Sequence, residues 1–147
     1  MSLRPATADD LDEIIALIGE LAAYEEAAEE VVLDRDALGR HLFPSSGPPA
    51  ASVVMAVDDT SGRIAGFALY HGTFSTWLGK PGIWLEDLFV RPEHRKQGHG
   101  QALLRHLRTL TDGRVEWAVL DWNTPSIEFY EALGARPVPG WTRYRWL

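Results

Sequence analysis

The chain has 147 residues, of which 46% are hydrophobic and 24% charged, as is usual for a soluble globular domain. It has no cysteine, which excludes disulfides, thiolate catalysis and cysteine-bound zinc. The net charge of −7 argues against a nucleic-acid partner, and no apolar run is long enough to span a membrane. Because the N-terminus lacks the basic and apolar segments of a signal peptide, we expect a cytoplasmic protein. The acidic charge serves either solubility or the attraction of cationic substrates.

Apolar residues three and four apart predict helices, and shorter alternating runs between glycine and proline turns predict strands. In chain order these are strand 2–5, helices 8–25 and 34–42, strands 51–57, 63–72 and 83–90, helix 98–110, strand 115–121, helix 124–133 and strand 141–147. No repeat or linker divides them. The sequence therefore predicts one α/β domain over residues 1–147.

The most informative segment follows the strand predicted over 83–90, where a basic, glycine-rich loop leads into a helix. A helix N-terminus offers unpaired backbone N–H groups and a partial positive charge, which suit a pyrophosphate. Gly98 and Gly100 remove side chains that would keep phosphates away, and Arg95 and Lys96 add positive charge. The spacing matches neither G-x-x-x-x-G-K-[ST] nor G-x-G-x-x-G, which excludes both common nucleotide loops. Taken alone, this G-x-G is compatible with a phosphate site or with an ordinary tight turn.

Two segments together resemble the GNAT family of N-acetyltransferases. Arg95 to Gly100 reads R-x-x-G-x-G, like that family's acetyl-coenzyme A signature. Residues 123–135 follow its N-x-x-[SA]-x-x-[FL]-Y-x-x-x-G-[FA] segment. The resemblance implies the GNAT acyl-CoA N-acyltransferase fold, a central mixed β-sheet (α+β) flanked by helices. In that fold a bulge splays the strand before the loop from its neighbour and opens a slot for the pantetheine arm.

By this resemblance, the coenzyme site draws on the splayed strand, the loop and the second signature. The implied cofactor-binding residues are Leu88, Phe89, Val90, Arg95, Lys96, Gln97, Gly98, His99, Gly100, Gln101, Asn123, Ser126 and Tyr130. Asn123 would bond the pantetheine and Tyr130 would lie beside its sulfur, although a helix cap and a half-buried aromatic are the simpler interpretations of these two residues. His99 departs from the family, in which this position is usually aliphatic.

Further segments resemble the diamine (spermidine/spermine) acetyltransferase branch of the family. They include residues 20–25, 75–80, 84–87 and 120–123. Ser75 stands where the polyamine enzymes tend to carry an acid, and the surrounding residues look more like the thialysine-type member. Members of the branch are typically homodimers, so the resemblance predicts a homodimer.

The residue types suggest how acetyl transfer to an amine would proceed. A protonated amine cannot attack a thioester, and Glu86 is the candidate base, acting directly or through a water. The alternative is that Glu86 only attracts the ammonium group. Tyr130 could protonate or hydrogen-bond the leaving thiolate, and the backbone N–H of Leu88 could stabilise the oxyanion. With no cysteine to carry an acyl group, we expect direct transfer in a ternary complex.

Aromatic faces and carboxylates suit a cationic amine such as a diamine, a polyamine or a lysine analogue like thialysine. The candidate substrate-binding residues are Tyr24, Glu25, Trp77, Glu86, Asp87 and Trp141. The alternatives are acetylation of another amine (a peptide N-terminus, a protein lysine or an aminoglycoside) and a non-catalytic acyl-CoA-binding module. None of the five histidines has a metal-ligand spacing with a third ligand, so the sequence predicts no metal site.

Overall fold

The computed structural model describes residues 1–147. Its strands and helices are β1 (Ser2–Pro5), α1 (Leu11–Tyr24), α2 (Arg35–Leu42), β2 (Ser52–Val57), β3 (Ile64–Ser75), β4 (Lys80–Val90), α3 (His99–Thr109), β5 (Val115–Glu116) and α4 (Thr124–Ala132). Short 3-10 turns cover residues 8–10, 28–30 and 92–94. No helix is both long enough and apolar enough to cross a membrane.

The five strands form one sheet in the order β1-β2-β3-β4-β5. The pairs from β1 to β4 are antiparallel, whereas β5 lies parallel to β4. Antiparallel neighbours need only short turns, but a parallel neighbour needs a crossover, which α3 provides. The mixed sheet flanked by helices confirms the predicted fold class.

Both faces of the sheet are covered because its central strands are apolar on both sides. In β2, Val53 and Met55 face a cluster built with α1 and α2, while Val54 and Ala56 face a second cluster built with α3. The residues of α1 and α3 that enter these clusters recur three and four positions apart, as the helical pattern predicts. The sheet is therefore the middle layer, and the loops at the ends of its strands are left free to form a site.

Two arginines fix the N-terminal helix against the sheet. Arg4 in β1 donates two 2.8 Å hydrogen bonds to the carboxylate of Asp10, the residue immediately before α1. Arg91, just after β4, donates to Glu13 and Glu20 of α1 and to the carbonyl of Ile64. Since Arg91 also precedes the glycine-rich loop, these bonds hold the end of α1 beside that loop.

Two predicted strands are wrong in extent or existence. The strand predicted over 115–121 contains only Val115–Glu116, and the strand predicted over 141–147 does not form. A strand exists only where a neighbour supplies a ladder of hydrogen bonds. β5 pairs with β4 at just two positions, and residues 141–147 are exposed without a paired neighbour. Both segments have the apolar pattern, but a partner strand is present only for the first two residues of 115–121 and for none of 141–147.

Candidate active site

A bulge in β4 opens the sheet at the centre of the molecule. Asp87 pairs with Leu69 and Leu85 pairs with Tyr70, so Glu86 is an extra residue with no partner in β3. On the other side, β4 and β5 stay paired only at Ile83 and Trp84. Bulges bend a strand and end its pairing, and strands β4 and β5 separate beyond this point. The bulge and the separation of strands predicted from the family resemblance are both observed.

The separated strands border a cleft of about 530 Å³. Leu88, Phe89 and Val90 line one side, and residues 118–120 line the other. The predicted site residues that line it are Tyr24, Glu25, Glu86, Leu88, Phe89, Val90, Arg95, Lys96, Gly98, His99, Gly100, Gln101, Asn123, Ser126 and Tyr130. Residues from α1, β4, the loop and α4 thus converge on one pocket of a size typical for a small-molecule or cofactor site.

The loop between β4 and α3 presents a row of free donors to this cleft. The backbone N–H groups of residues 96–101 donate to no protein acceptor. Lys96 and Gly98 adopt left-handed φ angles of 62° and 87°, which turn successive N–H groups toward one concave surface. A non-glycine residue in this conformation is strained, and such strain is concentrated at functional sites. The loop has the geometry of an anion site at a helix N-terminus.

The two glycines of the loop have different roles. Gly98 supplies the positive φ. A Cβ at Gly100 would lie 3.4 Å from Cζ of Phe129 in α4 and 3.8 Å from a methyl of Val90, which are ordinary van der Waals contacts. The start of α3 therefore lies against β4 and α4 at a distance that leaves room for a methyl group and little more.

Tyr24, at the end of α1, joins the loop to α4 across the cleft. Its hydroxyl donates a 3.1 Å hydrogen bond to Oδ1 of Asn123, and the guanidinium of Arg95 lies 5.3 Å from its ring centre. Arg95 is anchored by a 2.8 Å bond from its Nε to the carbonyl of Val90. Oδ1 of Asn123 also accepts from the N–H of Ser126, so this buried side chain is a helix cap, as the simpler interpretation predicted. Its Nδ2 has no protein partner and remains available to a ligand in the cleft.

Three carboxylates gather near the bulge. Glu86 is exposed and accepts a 3.0 Å hydrogen bond from the indole of Trp84. Burial, together with the negative charges of Glu86 and Glu25, raises the pKa of Asp87 to about 6. Burial also raises the pKa of Glu25. This end of the cleft is acidic and partly shielded from water, which favours a bound cation.

Tyr130 of α4 faces the same acidic end. Burial, helped by the nearby Glu25 and Tyr24, raises the pKa of Tyr130 to about 12. Its ring lies 5.0 Å from that of Trp117 and 5.5 Å from that of Phe129, measured between centres. A phenol held in this way is fully protonated at neutral pH and can donate its hydrogen.

Four predicted site residues lie outside the wall of the cleft. Gln97 points its amide at the carbonyl of Glu93, 3.4 Å away. Asp87 is half-buried and does not line the wall. Trp77 lies in the turn between β3 and β4, where its ring packs 6.1 Å from that of Trp141, and both are largely exposed at 78% and 72%. Neither tryptophan lines the pocket.

Sequence reasoning missed several residues that line the cleft: Leu21, His94, Ala118, Val119, Leu120, Pro125 and Phe129. Residues 118–120 could have been found from the expected splay, since the far side of a slot must also have a wall. His94 gave no signal, because it reaches the pocket only through the 3-10 turn before the loop. Next to it, His99 is buried with its Nδ1 unpaired, and burial lowers its pKa. Such an unsatisfied group costs about 1–3 kcal/mol.

The chain matches the acetyltransferase (GNAT) family over residues 12–135. A thialysine N-epsilon-acetyltransferase from Bos taurus is 34% identical over 97% of this chain and 90% of that protein. An L-ornithine N5-acetyltransferase from Arabidopsis thaliana is 40% identical over 53% of this chain and 36% of that protein. The crystal structure of a probable acetyltransferase, 22% identical, superimposes with a TM-score of 0.79 over 100% of this chain and 97% of that one. With this match and with the bulge, slot and phosphate-type loop in place, the chain belongs to the GNAT acetyltransferase family and is an acetyl-CoA-dependent N-acetyltransferase.

Proposed function

We propose that the enzyme acetylates a primary amine of a small cationic substrate, a diamine, a polyamine or a lysine analogue such as thialysine, by direct transfer in a ternary complex. The polarity of the cleft carries this proposal. Glu25, Glu86 and Asp87 lie close enough for the first two to raise the pKa of the third, so negative charge is concentrated at one end. Cations are attracted to such a site. The relatives that act on thialysine and on ornithine support the same substrate class.

The opposite end of the cleft suits the coenzyme. The free N–H groups of residues 96–101 and the charge of Lys96 fit a pyrophosphate, because each oxygen can find a donor. The backbone of Leu88 to Val90, the Nδ2 of Asn123 and Ser126 would hold the pantetheine arm along the slot. Bound in this way, acetyl-CoA supplies the activated thioester at the acidic end, beside the amine.

Glu86 and Tyr130 are the proposed acid–base pair. Glu86 would take the proton of the incoming ammonium group, directly or through a water, while the Trp84 indole holds one of its oxygens in place. Tyr130 keeps its proton because its pKa is raised to about 12, and it would give that proton to the leaving thiolate or hydrogen-bond it. The N–H of Leu88 is the proposed donor to the carbonyl oxygen. This transfer uses side chains and backbone alone, so it requires no metal ion.

We also infer that residues 1–147 act as one domain and that the enzyme is a cytoplasmic homodimer without nucleic-acid or membrane partners. Both core clusters share one sheet, which supports a single unit. The net charge of −7 disfavours nucleic acid and anionic lipid surfaces. Large aromatic side chains near the C-terminus are exposed, including Trp141, Tyr144 and Trp146. Exposed apolar surface of this kind favours association with a second copy.

The experiment that tests this function measures acetyl-CoA consumption against thialysine, lysine, ornithine, spermidine, putrescine and an N-terminal peptide. We expect rapid turnover on a diamine or lysine analogue. Glu86→Gln and Tyr130→Phe should each lower kcat at least about tenfold, since general acid–base catalysis commonly contributes 10²–10⁴-fold. Acetyl-CoA affinity in the Glu86→Gln variant should stay near that of the wild type, because Glu86 is assigned to the amine.

Glu131→Gln and Tyr144→Phe are the matched controls, as both residues are exposed and outside the cleft. Both variants should retain full activity. Turnover confined to the N-terminal peptide would reject the small cationic substrate while leaving the enzyme class intact. Tight acetyl-CoA binding without turnover on any amine would reject the mechanism and favour an acyl-CoA-binding module.

A further inference from the structure

Asp58, His94 and His99 meet beside the cleft from three separate segments. Asp58 begins the turn between β2 and β3, His94 ends the 3-10 turn after β4, and His99 is the first residue of α3. One possible ligand atom from each residue lies within 4.8 Å of the other two. The acetyl transfer proposed above makes no use of Asp58 or of the two imidazoles as a pair.

His99 has a ring nitrogen that the protein leaves without a partner. The residue is only 2% exposed, and its Nδ1 makes no hydrogen bond. The ring of His94 stands perpendicular to it, with 6.1 Å between the ring centres. Buried polar atoms nearly always have a partner, and an exception calls for an explanation such as an ion.

Asp58 is held with one oxygen to spare. The N–H and the hydroxyl of Ser61 both donate to Oδ2 of Asp58, at 3.0 Å and 2.5 Å. Its Oδ1 receives no side-chain hydrogen bond. Ligands of metal ions are commonly fixed by such bonds from a surrounding layer of residues, which orient the coordinating atom.

We propose that Asp58, His94 and His99 form a binding site for one divalent transition-metal ion of the zinc class, with water completing the coordination. Two imidazoles and a carboxylate suit Zn²⁺, Co²⁺ or Ni²⁺, whereas Mg²⁺ and Ca²⁺ prefer oxygen ligands alone. Around Zn²⁺, with bonds of about 2.0–2.2 Å, tetrahedral ligands lie roughly 3.3 Å apart. The three side chains therefore need to close in by up to about 1.5 Å, which rotation of the part-exposed Asp58 and His94 can provide.

The ion would add a link between parts of the chain that lie far apart in the sequence. It would tie the turn after β2 to the loop whose N–H groups face the cleft, because His94 and His99 bracket that loop. The sequence could not reveal this site, since Asp58 is distant from both histidines along the chain and the histidines are not spaced along one helix. This inference is independent of the identity of the amine substrate.

The test uses untagged protein that has been stripped with EDTA and dialysed. Calorimetric titration with ZnCl₂ and visible absorption with CoCl₂ are compared for the wild type, Asp58→Asn, His94→Gln and His99→Leu. We expect one ion per chain, and a Co²⁺ spectrum typical of bound nitrogen and oxygen ligands. Each substitution should weaken binding at least about tenfold, whereas MgCl₂ should give no saturable binding. Zn²⁺ should also raise the melting temperature of the wild type and not that of His94→Gln.

His41→Gln and His71→Gln are the matched controls, because they remove histidines outside the cluster and should bind the ion as the wild type does. Asp58 and His94 are only half-buried, so these two variants test the site even if the buried His99 cannot be replaced without unfolding. The proposal is overturned if the wild type binds no Zn²⁺ or Co²⁺. It is equally overturned if Asp58→Asn and His94→Gln bind as tightly as the wild type.

Discussion

The two walls of the cleft are built in different ways. The β4 wall belongs to a continuous antiparallel sheet, and the loop that follows it is fixed by its own residues, with Gly98 supplying a left-handed turn and Arg95 a bond back to Val90. The opposite wall begins with the two-residue strand β5 and continues through residues 118–120, which have no regular structure. One wall is determined locally, and the other depends on neighbours far along the chain.

This difference suggests that the two walls have different functions. The β4 wall holds the groups that need accurate placement, namely the bulge with Glu86 and the loop with its free N–H groups. The loosely paired wall contributes apolar lining and leads into α4, which presents Tyr130. Substitutions in the β4 wall should therefore affect ligand binding and stability strongly, and substitutions in the opposite wall should have smaller and more local effects.

The largest effect is expected at Gly98. An alanine at φ 87° is strained by about 1–2 kcal/mol, and relief of that strain would turn the loop's N–H groups out of the cleft. We expect Gly98→Ala to weaken coenzyme A binding about five- to thirtyfold, the equivalent of that 1–2 kcal/mol. Isothermal titration with coenzyme A measures this affinity.

Gly134 is the matched control on the other side of the cleft. It follows α4 with φ 98°, and a Cβ there would contact nothing within 4 Å. Gly134→Ala should lower the free energy of unfolding by a similar 1–2 kcal/mol without changing coenzyme affinity. Equal losses of affinity in both variants would mean that the loop has no special part in binding.

The same contrast explains which features the sequence could predict. The loop and both signatures were recognisable because their conformations follow from residues inside them, such as Gly98, Gly100 and the cap Asn123. The short antiparallel strands were likewise predictable from alternation and turns. The bulge at Glu86 was expected only through the family resemblance, since nothing in the residues around it requires an unpaired position.

The features that failed all depend on distant partners. The strand predicted over 141–147 has the right pattern but no neighbour, and Trp77 and Trp141 pack on each other rather than on the cleft. His94 and Asp58 carry no local sign that they meet His99. Periodicity reports which side of an element is buried, but it does not report what that side meets.

A further prediction tests how much the ionised carboxylate of Asp87, at the acidic end of the cleft, lowers the stability of the fold. The folded state raises the pKa of Asp87 to about 6, above its ordinary value of 3.8, so the folded protein holds this proton more tightly than the unfolded chain does. Ionisation of Asp87 therefore lowers the free energy of unfolding as pH rises from about 4 to 6. Above that range the full loss persists. We expect Asp87→Asn to raise the free energy of unfolding by about 1–3 kcal/mol at pH 7.5, and by much less at pH 4. Urea unfolding at the two pH values measures both.

Asp121→Asn provides the comparison on the loosely paired wall. Asp121 is exposed, so its replacement should change stability by less than about 0.5 kcal/mol at either pH. If Asp87→Asn proved destabilising at pH 7.5, the carboxylate would be making favourable contacts that outweigh its burial. It would then have to be assigned a structural role in the bulge.

The smallest effect on the isolated chain is expected at Trp146, in the segment that was predicted to be a strand. Its side chain is 100% exposed, so Trp146→Ser removes no buried area and should change the free energy of unfolding at low protein concentration by less than about 0.5 kcal/mol. If a second copy covers this segment, the dimer of this variant should nevertheless dissociate at a higher protein concentration than the wild-type dimer. Sedimentation equilibrium measures this difference. A loss of more than about 1 kcal/mol in the dilute monomer would instead mean that Trp146 itself packs on its own chain. The missing strand would then have a partner within the molecule, and the contrast between the two walls would largely disappear.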